Sequence, residues 1–255
     1  MKTNITYPHI IASLLSLGVC PFLDIQTTSA DTISESTVEI QHHEFIPRIT
    51  VRSKANERSA WQCSFKAFGE RFNVVLESNE RLVANLPRPQ GTQLLDTCSL
   101  YRGQLKGVTD SWVRLSKAGQ NWSGAIRDGE ELYILDPVQS VRRSLATSPH
   151  PRERRHVIYK LSDVIDVQGQ TCGPDSFTPA GQPVIDYVPF VEKLRKLVPL
   201  AAEGASLNLD MAVVADAQFS EIQEGTFGTP TSAAIAARIN VVDGIYSEQI
   251  GVQIS

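Results

Sequence analysis

The sequence predicts a β-rich domain, sandwich or barrel-like in form, followed by the first elements of an α/β domain. Between Ser36 and Val141, apolar and polar residues alternate in short runs that turn residues separate, which is typical of β-strands. From Ile235 to Ile250, apolar residues recur at three and four residues instead, which indicates an amphipathic helix. So many short strands at close spacing favour a sandwich or a barrel.

The composition excludes several classes of protein. The chain has 255 residues and 42% hydrophobic residues, enough for one or two cores, and it is not collagen, a coiled coil or a disordered chain. A net charge of −4 without a sustained basic tract predicts no nucleic-acid partner. The only long apolar stretch, residues 10–23, is shorter than the roughly 20 residues that span a bilayer, so we expect no membrane span.

Residues 1–30 have the layout of a secretory signal peptide. Lys2 precedes an apolar run from Ile10 to Val19, and the small residues Ser29 and Ala30 follow before the expected mature chain. We therefore expect a secreted or extracellular protein. A frayed amphipathic terminus is the alternative.

Two hairpins are predicted in the β-rich part. The first places its turn at Gly69, and the second places a primed two-residue turn at Asp128-Gly129. The flanking strands are residues 61–65 and 72–76 for the first hairpin, and 122–126 and 132–135 for the second; residues 112–115 form a further strand.

Two segments beyond Val141 lack apolar periodicity. The arginine-rich residues 142–156 predict a solvated linker or loop, in which residues 152–155 are either a protease-sensitive site or simply a solvated face. The Gly/Pro-rich residues 168–189 predict an extended surface segment that carries Cys172.

The last third of the sequence predicts a β-α-β unit. A short helix from Phe190 to Val198 precedes a strand over residues 207–216. Thr229 and Pro230 are the predicted N-cap and first turn of a helix of about 20 residues that ends at Gly251, where a second strand begins. A β-α-β unit needs further elements to cover its apolar faces, so we expect this chain to be the front part of a longer protein.

A search for catalytic motifs assigns no catalytic residue. His43-Glu44 resembles the start of a zinc-hydrolase H-E-x-x-H motif, but Pro47 stands where the second histidine would be. No phosphate-binding loop, nucleophile elbow or metal-spaced cysteine pair is present.

If Cys20 leaves with the signal peptide, three cysteines remain and one thiol must stay unpaired within the chain. Cys63 and Cys98 lie in strand-like surroundings, and a disulfide between them would contribute about 3 to 4 kcal/mol. Cys172 is then the odd one out. Pairing of Cys172 with either of them or with another chain is the alternative.

Two regions resemble one family. The residues that carry the first resemblance are Cys98 to Gly103, Gly107-Val108, Asp110 to Ser116, Gly124 to Ile126 and Glu131 to Ile134. They resemble the propeptide core of reprolysin/ADAM-type zinc metalloproteases. Asp210 to Phe219, the long helix and Ile245 to Val252 are similar to the start of the same family's catalytic domain.

The resemblance implies the organisation and function of the chain. It implies a signal peptide at 1–30, a β-rich inhibitory propeptide at 31–200 and the N-terminal fragment of a zinc metalloendopeptidase domain at 201–255. Cys172, in Cys172-Gly173-Pro174, stands where the family carries its inhibitory cysteine, and its thiolate would occupy the open position on a catalytic zinc. The zinc would be bound by a downstream catalytic domain, because this chain lacks the H-E-x-x-H site.

The implied partners are the chain's own catalytic domain and the peptide or protein substrates of the full-length enzyme. Processing would follow the helix at 190–198, around Arg195-Lys196, and would release the inhibitory cysteine. The sequence departs from the family at Lys117-Ala118, where a further cysteine is common, so Cys98 has no local partner. The alternative interpretation is that the chain is a secreted, non-catalytic β-sandwich binding module of the cell envelope.

Overall fold

The computed structural model describes residues 38–46, 49–54, 57–84, 94, 96–147, 155–166, 192, 207–209 and 211–254. The strands are β1 (Val38–Ile40), β2 (His43–Ile46), β3 (Thr50–Lys54), β4 (Glu57–Ala67), β5 (Glu70–Ser78), β6 (Cys98–Leu105), β7 (Trp112–Ala118), β8 (Asn121–Arg127), β9 (Leu132–Pro137), β10 (His156–Lys160), β11 (Val164–Asp166), β12 (Leu207–Leu209) and β13 (Val252–Ile254).

Nine of these strands form one antiparallel sheet in the order β2-β10-β9-β8-β7-β6-β5-β4-β3. The sheet curls into a half-barrel, because Ile46 near one edge packs into the same core as Cys63 near the other. The predicted β-rich domain is therefore confirmed. Its form is a single curled sheet, with β1 and β11 as a separate antiparallel pair beside it.

The concave, inner face of the sheet holds the main core. Its buried side chains include Phe65, Phe72, Leu76, Val113, Leu115, Trp122, Ile126, Leu135 and Ile158. They come from every second position of their strands, because successive residues point to opposite faces. The other face of the same strands is called the outer face below.

The first predicted hairpin is confirmed. Strands β4 and β5 pair antiparallel with Ala67 opposite Glu70. Phe68 and Gly69 form the turn with φ angles of 52° and 76°, both in the left-handed region that a primed turn requires.

The second predicted hairpin forms with a different turn. Four residues, 128–131, connect β8 to β9, so the two-residue turn at Asp128-Gly129 is wrong. The Asp128 carboxylate accepts hydrogen bonds from the backbone N–H groups of Glu130 and Glu131, at 2.9 and 2.8 Å. This side-chain cap stabilises the longer connection, as aspartate commonly does in loops.

The predicted linker at 142–156 is wrong at both of its ends. Leu145 is buried and bridges to Ile40, and His156 begins the buried strand β10. Strand β10 lies inside the sheet between β2 and β9 and is covered on both faces, so it shows no alternation. Residues 148–154, which include residues 152–154 of the basic cluster, lie outside the described residues, whereas Arg155 is described and exposed.

The described helices are short except for the last. They are α1 (Arg81–Ala84), α2 (Val138–Val141), a 3₁₀ turn (Leu161–Asp163), α3 (Ala217–Glu221) with a π-helical extension (Ile222–Thr226), and α4 (Thr231–Gly244) with a π-helical extension (Ile245–Ile250). None of them is long and apolar enough to cross a membrane.

The predicted long helix and its end are confirmed, and its predicted start is shifted. Gly251 ends it with a φ of 77°, which glycine adopts without strain. Pro230, not Thr229, takes the N-cap position. The Glu224 carboxylate accepts hydrogen bonds from the Thr231 backbone N–H and hydroxyl, so a residue from the preceding turn caps the helix.

The β-α-β arrangement is present in outline. Strands β12 and β13 pair in parallel, with Leu207 opposite Val252, and α3 and α4 connect them. Strand β12 ends at Leu209, so the strand predicted as far as residue 216 is wrong over 211–216, which have no regular structure. The signal peptide at 1–30, the segment 168–189 and nearly all of the helix predicted at 190–198 lie outside the described residues.

Candidate functional site

Helix α4 lies across the outer face of the sheet. At its first half, Ala233 and Ala236 pack against Cys98 and Leu100 of β6. At its C-terminal end, Val241 of α4 and Ile245 of its π-helical extension pack against a cluster of Trp112, Ala125 and Leu132. Alanines let the helix backbone approach the strands closely, so the predicted β-α-β part and the β-rich part share these two small cores.

Gly244 allows the closest approach between helix and sheet. A Cβ atom at this position would lie 2.6 Å from Cγ of Arg114 and 2.6 Å from Cζ3 of Trp112. Both distances are far below van der Waals contact, and both neighbours are buried. Residue 244 must therefore be glycine for the helix to rest on β7 as it does.

A buried ion pair joins the helix to the sheet beside this contact. The Asp243 carboxylate on α4 has 0% exposed side-chain surface, and the Arg114 side chain on β7 has 2%. Arg114 Nε donates to Asp243 Oδ2 at 3.0 Å, and the Arg81 guanidinium donates to Oδ1 of the same carboxylate. Two cations of the β-rich domain thus neutralise one carboxylate of the helix.

Arg114 also reaches the π-helical extension of α4. Its Nη2 atom donates to Glu248 Oε1 and to Ser247 Oγ, each at 2.9 Å. The Glu248 side chain is 45% exposed, so the ion-pair network runs from the interior to the surface. One arginine of β7 therefore holds two successive turns of the helix.

Two asparagines extend the buried contact along the helix. Asn240 has 0% exposed surface, and its side-chain amide donates to the carbonyl oxygen of Leu115 at 3.0 Å and to that of Tyr101 at 3.2 Å. Asn79, just after β5, donates to Asn240 Oδ1 at 2.8 Å and to Asp243 Oδ2 at 3.3 Å. Hydrogen bonds to strand carbonyls fix the position of the helix along the sheet, because they have narrow geometric limits.

A second charged residue of α4, Arg238, lies near Asp136 at the end of β9. Removal from water raises the pKa of the Asp136 carboxyl to about 7, while a hydrogen bond from Tyr159 and the charge of Arg238 on α4 act in the opposite direction. The Tyr159 hydroxyl donates to Asp136 Oδ2 at 2.9 Å. The Arg238 guanidinium stacks over the Phe219 ring at 4.8 Å and its pKa is lowered by burial.

The disulfide considered between Cys63 and Cys98 is wrong. Both cysteines are free and buried. Cys63 belongs to the core on the inner face, whereas Cys98 packs against Ala233 and Ala236 on the outer face. A disulfide cannot pass through a sheet, because the two Cβ atoms must come within about 4.5 Å.

The predicted metal ligand Cys172 lies outside the described residues, as does the proposed processing site at Arg195-Lys196. Within the part of the chain that the structure describes, no three His, Cys, Asp or Glu side chains form a group that could hold a metal ion. The candidate functional site in the described part of the chain is the buried contact between α4 and the sheet.

Sequence reasoning did not find the residues of this contact. Arg114 lies between apolar residues in Trp112-Val113-Arg114-Leu115, and Asp243 lies within the apolar stripe of the long helix. A charged residue flanked by apolar residues in each of two elements was the signal that these elements meet, since buried charges are paired.

The sequence matches no protein-family model and no curated protein.

Proposed function

We propose that the chain is the N-terminal part of a secreted zinc metalloendopeptidase precursor, in which the β-rich domain holds α4, the first long helix of the catalytic domain. The observation that carries this proposal is the Asp243 carboxylate of α4, fully buried against Arg81, Arg114 and Asn79 of the β-rich domain. The reprolysin-type resemblance assigns the two partners of this contact to a propeptide and to its enzyme domain.

The chemistry of the contact suits a chaperone that recognises one partner. A buried ion pair adds little net stability, because desolvation of the charges offsets their attraction, but a misplaced helix would leave both charges unpaired. A misplaced helix would also break the hydrogen bonds that the Asn240 amide donates to the carbonyl oxygens of Tyr101 and Leu115. The sheet thus favours one position of α4 over all others, which is what guiding the folding of an enzyme domain requires.

The inhibitory part of the proposal rests on the resemblance around Cys172. There the thiolate would occupy the coordination position that a catalytic zinc otherwise offers to water. Secretion, zinc dependence and peptide or protein substrates belong to the same proposal.

The proposal that the β-rich domain holds α4, called the holding role below, is tested by cutting the chain between the two. A specific protease site is inserted within residues 167–206, and the cleaved protein is analysed by gel filtration. We expect the β-rich piece and the piece with α4 to elute together, and Asp243→Leu to separate them. Glu77→Gln, which removes an exposed ion pair on the sheet, is the matched control and should leave the pieces together. Separation of the unmutated pieces would overturn the holding role.

The enzymatic part is tested in the longest natural precursor. We expect no peptide hydrolysis before processing, and zinc-dependent hydrolysis after cleavage within residues 167–206. Cys172→Ala should give activity without cleavage, while Cys63→Ala, at a buried position on the inner face, should remain latent. Absence of hydrolysis in every form would favour the non-catalytic binding module instead.

A further inference from the structure

The outer face has a second region, which α4 does not cover. On the strands β3 to β5 and at the end of β6, this face carries Thr50, Arg52, Gln62, Ser64, Arg71, Asn73 and Lys106, which line an open pocket of about 350 Å³. This set of residues is called the basic pocket below. A volume of this size is at the lower end of that of small-molecule sites, which run from about 300 to 1,000 Å³.

The strand register places neutral groups at the centre of the basic pocket and cations around them. Ser64 lies opposite Asn73, and the Lys106 N–H donates to the Asn73 carbonyl oxygen at 2.8 Å, so these residues form one row across the sheet. Arg71 stands in the row on one side of it, opposite Lys66. Arg52 stands in the row on the other side, opposite Gln62.

The positive charges of this region form no ion pair with any carboxylate that the structure describes. Arg52, Lys66, Arg71 and Lys106 are all exposed, and none of them forms an ion pair with another described residue. No aspartate or glutamate is among the lining residues. Like charges directly opposite each other on a sheet, such as Lys66 and Arg71, are destabilising, and here no described neighbour offsets them.

The nearest acidic side chains of β5 are directed elsewhere. Glu77 lies on the outer face, but its carboxylate is 2.6 Å from Arg102 and so already paired. Glu70 lies on the inner side, where its charge acts on Tyr133. The chain as a whole carries a net charge of −4, so the concentration of cations is a local feature and does not follow from composition.

We propose that the basic pocket binds a small ligand that carries two or more sulfate or phosphate groups. Arg52, Arg71 and Lys106 would each contact an oxyanion, since arginine and lysine bind such groups through charge-assisted hydrogen bonds. The Ser64 hydroxyl and the Asn73 and Gln62 amides would donate to oxygens between them. The spacing of the cations over three rows selects a ligand with several separated charges over a single ion. This proposal does not rest on the enzymatic function proposed above.

The test measures binding to the folded chain by isothermal titration calorimetry. The probes are sucrose octasulfate, inorganic tripolyphosphate and inorganic sulfate, each at 50 and 300 mM NaCl. We expect both multivalent probes, or one of them, to bind at least tenfold more tightly than sulfate, and the affinity to fall as salt rises. Binding of sucrose octasulfate alone identifies a sulfated sugar as the source, and binding of tripolyphosphate alone identifies a phosphate compound.

Two double variants decide whether the basic pocket is responsible. Arg71→Gln with Lys106→Gln removes two of its charges at exposed positions, and we expect at least tenfold weaker binding. Arg142→Gln with Arg143→Gln removes two exposed charges elsewhere and should change the affinity less than twofold. Circular dichroism confirms that each variant is folded. Equal losses in both variants, or no binding of any multivalent probe to the unmutated chain, would overturn the proposal.

Discussion

Arg114 and Asp243 are 129 residues apart in sequence, yet Arg114 Nε lies 3.0 Å from Asp243 Oδ2 in the interior of the protein. Their side chains are 2% and 0% exposed. Neither charge has water to stabilise it, so each depends on the other and on the hydrogen bonds around them. This pair makes the position of α4 a condition for the stability of the sheet beneath it.

Removing the carboxylate should destabilise the protein strongly. We expect Asp243→Ala to lower the free energy of unfolding by about 3 kcal/mol, because Arg114 would remain buried with only the half-exposed Glu248 as a charged partner. Urea denaturation followed by tryptophan fluorescence measures this loss. Replacing both residues, as Arg114→Met with Asp243→Leu, should recover much of it, since the fully buried Arg114 charge is then gone and the Arg81 side chain that loses Asp243 is 28% exposed.

The matched control for this prediction is the ion pair of Glu77 and Arg102 on the same face of the sheet. These side chains are 56% and 44% exposed, so Glu77→Ala should cost less than about 1 kcal/mol. An Asp243→Ala loss no larger than that of Glu77→Ala would contradict the buried role of Asp243.

A methyl group at residue 244 should displace the long helix. Gly244→Ala puts a Cβ atom 2.6 Å from Arg114 and Trp112, so α4 must move away from β7 or the two side chains must shift. We expect a loss of about 1 to 3 kcal/mol, as is usual for overpacking. Gly225→Ala is the control, because a Cβ atom there meets nothing within 4 Å. Urea denaturation compares the two, and equal stabilities would show that the helix is not in close contact.

The local elements of the fold were predictable because their signals lie within a few residues. The hairpin at Gly69 and the end of the long helix at Gly251 both depend on positive φ angles that the sequence marks with glycine. Strand β10 was missed because His156 to Tyr159 are buried on both faces and show no alternation. The curling of the sheet was not predictable in detail, since it depends on which distant strands become neighbours.

The candidate site was less predictable than the fold. Its members Asn79, Arg114 and Asp243 come from three distant parts of the chain. In the sequence, nothing distinguishes any one of them, taken alone, from an ordinary polar surface residue. The disulfide considered between Cys63 and Cys98 was wrong for a related reason. Alternation predicted strands around Cys63 and Cys98, but it does not tell which face of the sheet each cysteine takes.

The two described cysteines should be unreactive in the folded protein. Burial raises the pKa of the Cys63 thiol to about 12 and that of the Cys98 thiol to about 11, so almost no thiolate forms at neutral pH. We expect iodoacetamide at pH 8 to label neither residue in the native state and both in 6 M guanidinium, with peptide mass spectrometry as the readout. Labelling that requires a reducing agent in guanidinium would show that they are in disulfides after all.

A buried histidine makes the fold sensitive to acid. His156 is 3% exposed, and its Nε2 atom accepts a hydrogen bond from the Trp122 backbone N–H at 2.9 Å, which only the neutral ring can do. Burial and the charge of Arg155 lower its pKa from 6.5 to about 4. Between these values the unfolded chain binds a proton that the folded chain does not, so the stability from this group is complete above pH 6.5 and is lost as the pH falls toward 4.

His156→Gln should remove this acid sensitivity, because the glutamine amide oxygen can accept the same hydrogen bond and does not titrate. A pKa lowered from 6.5 to about 4 corresponds to about 3 kcal/mol of stability lost in the unmutated protein on acidification. The measurement is the difference in unfolding free energy between the two proteins at pH 7.5, 6, 5 and 4. Taking this difference cancels the opposite trend from Asp136, whose raised pKa of about 7 makes the fold more stable as the pH falls over the same range. A difference that stays constant from pH 7.5 to 4 would show that His156 titrates normally in the folded protein.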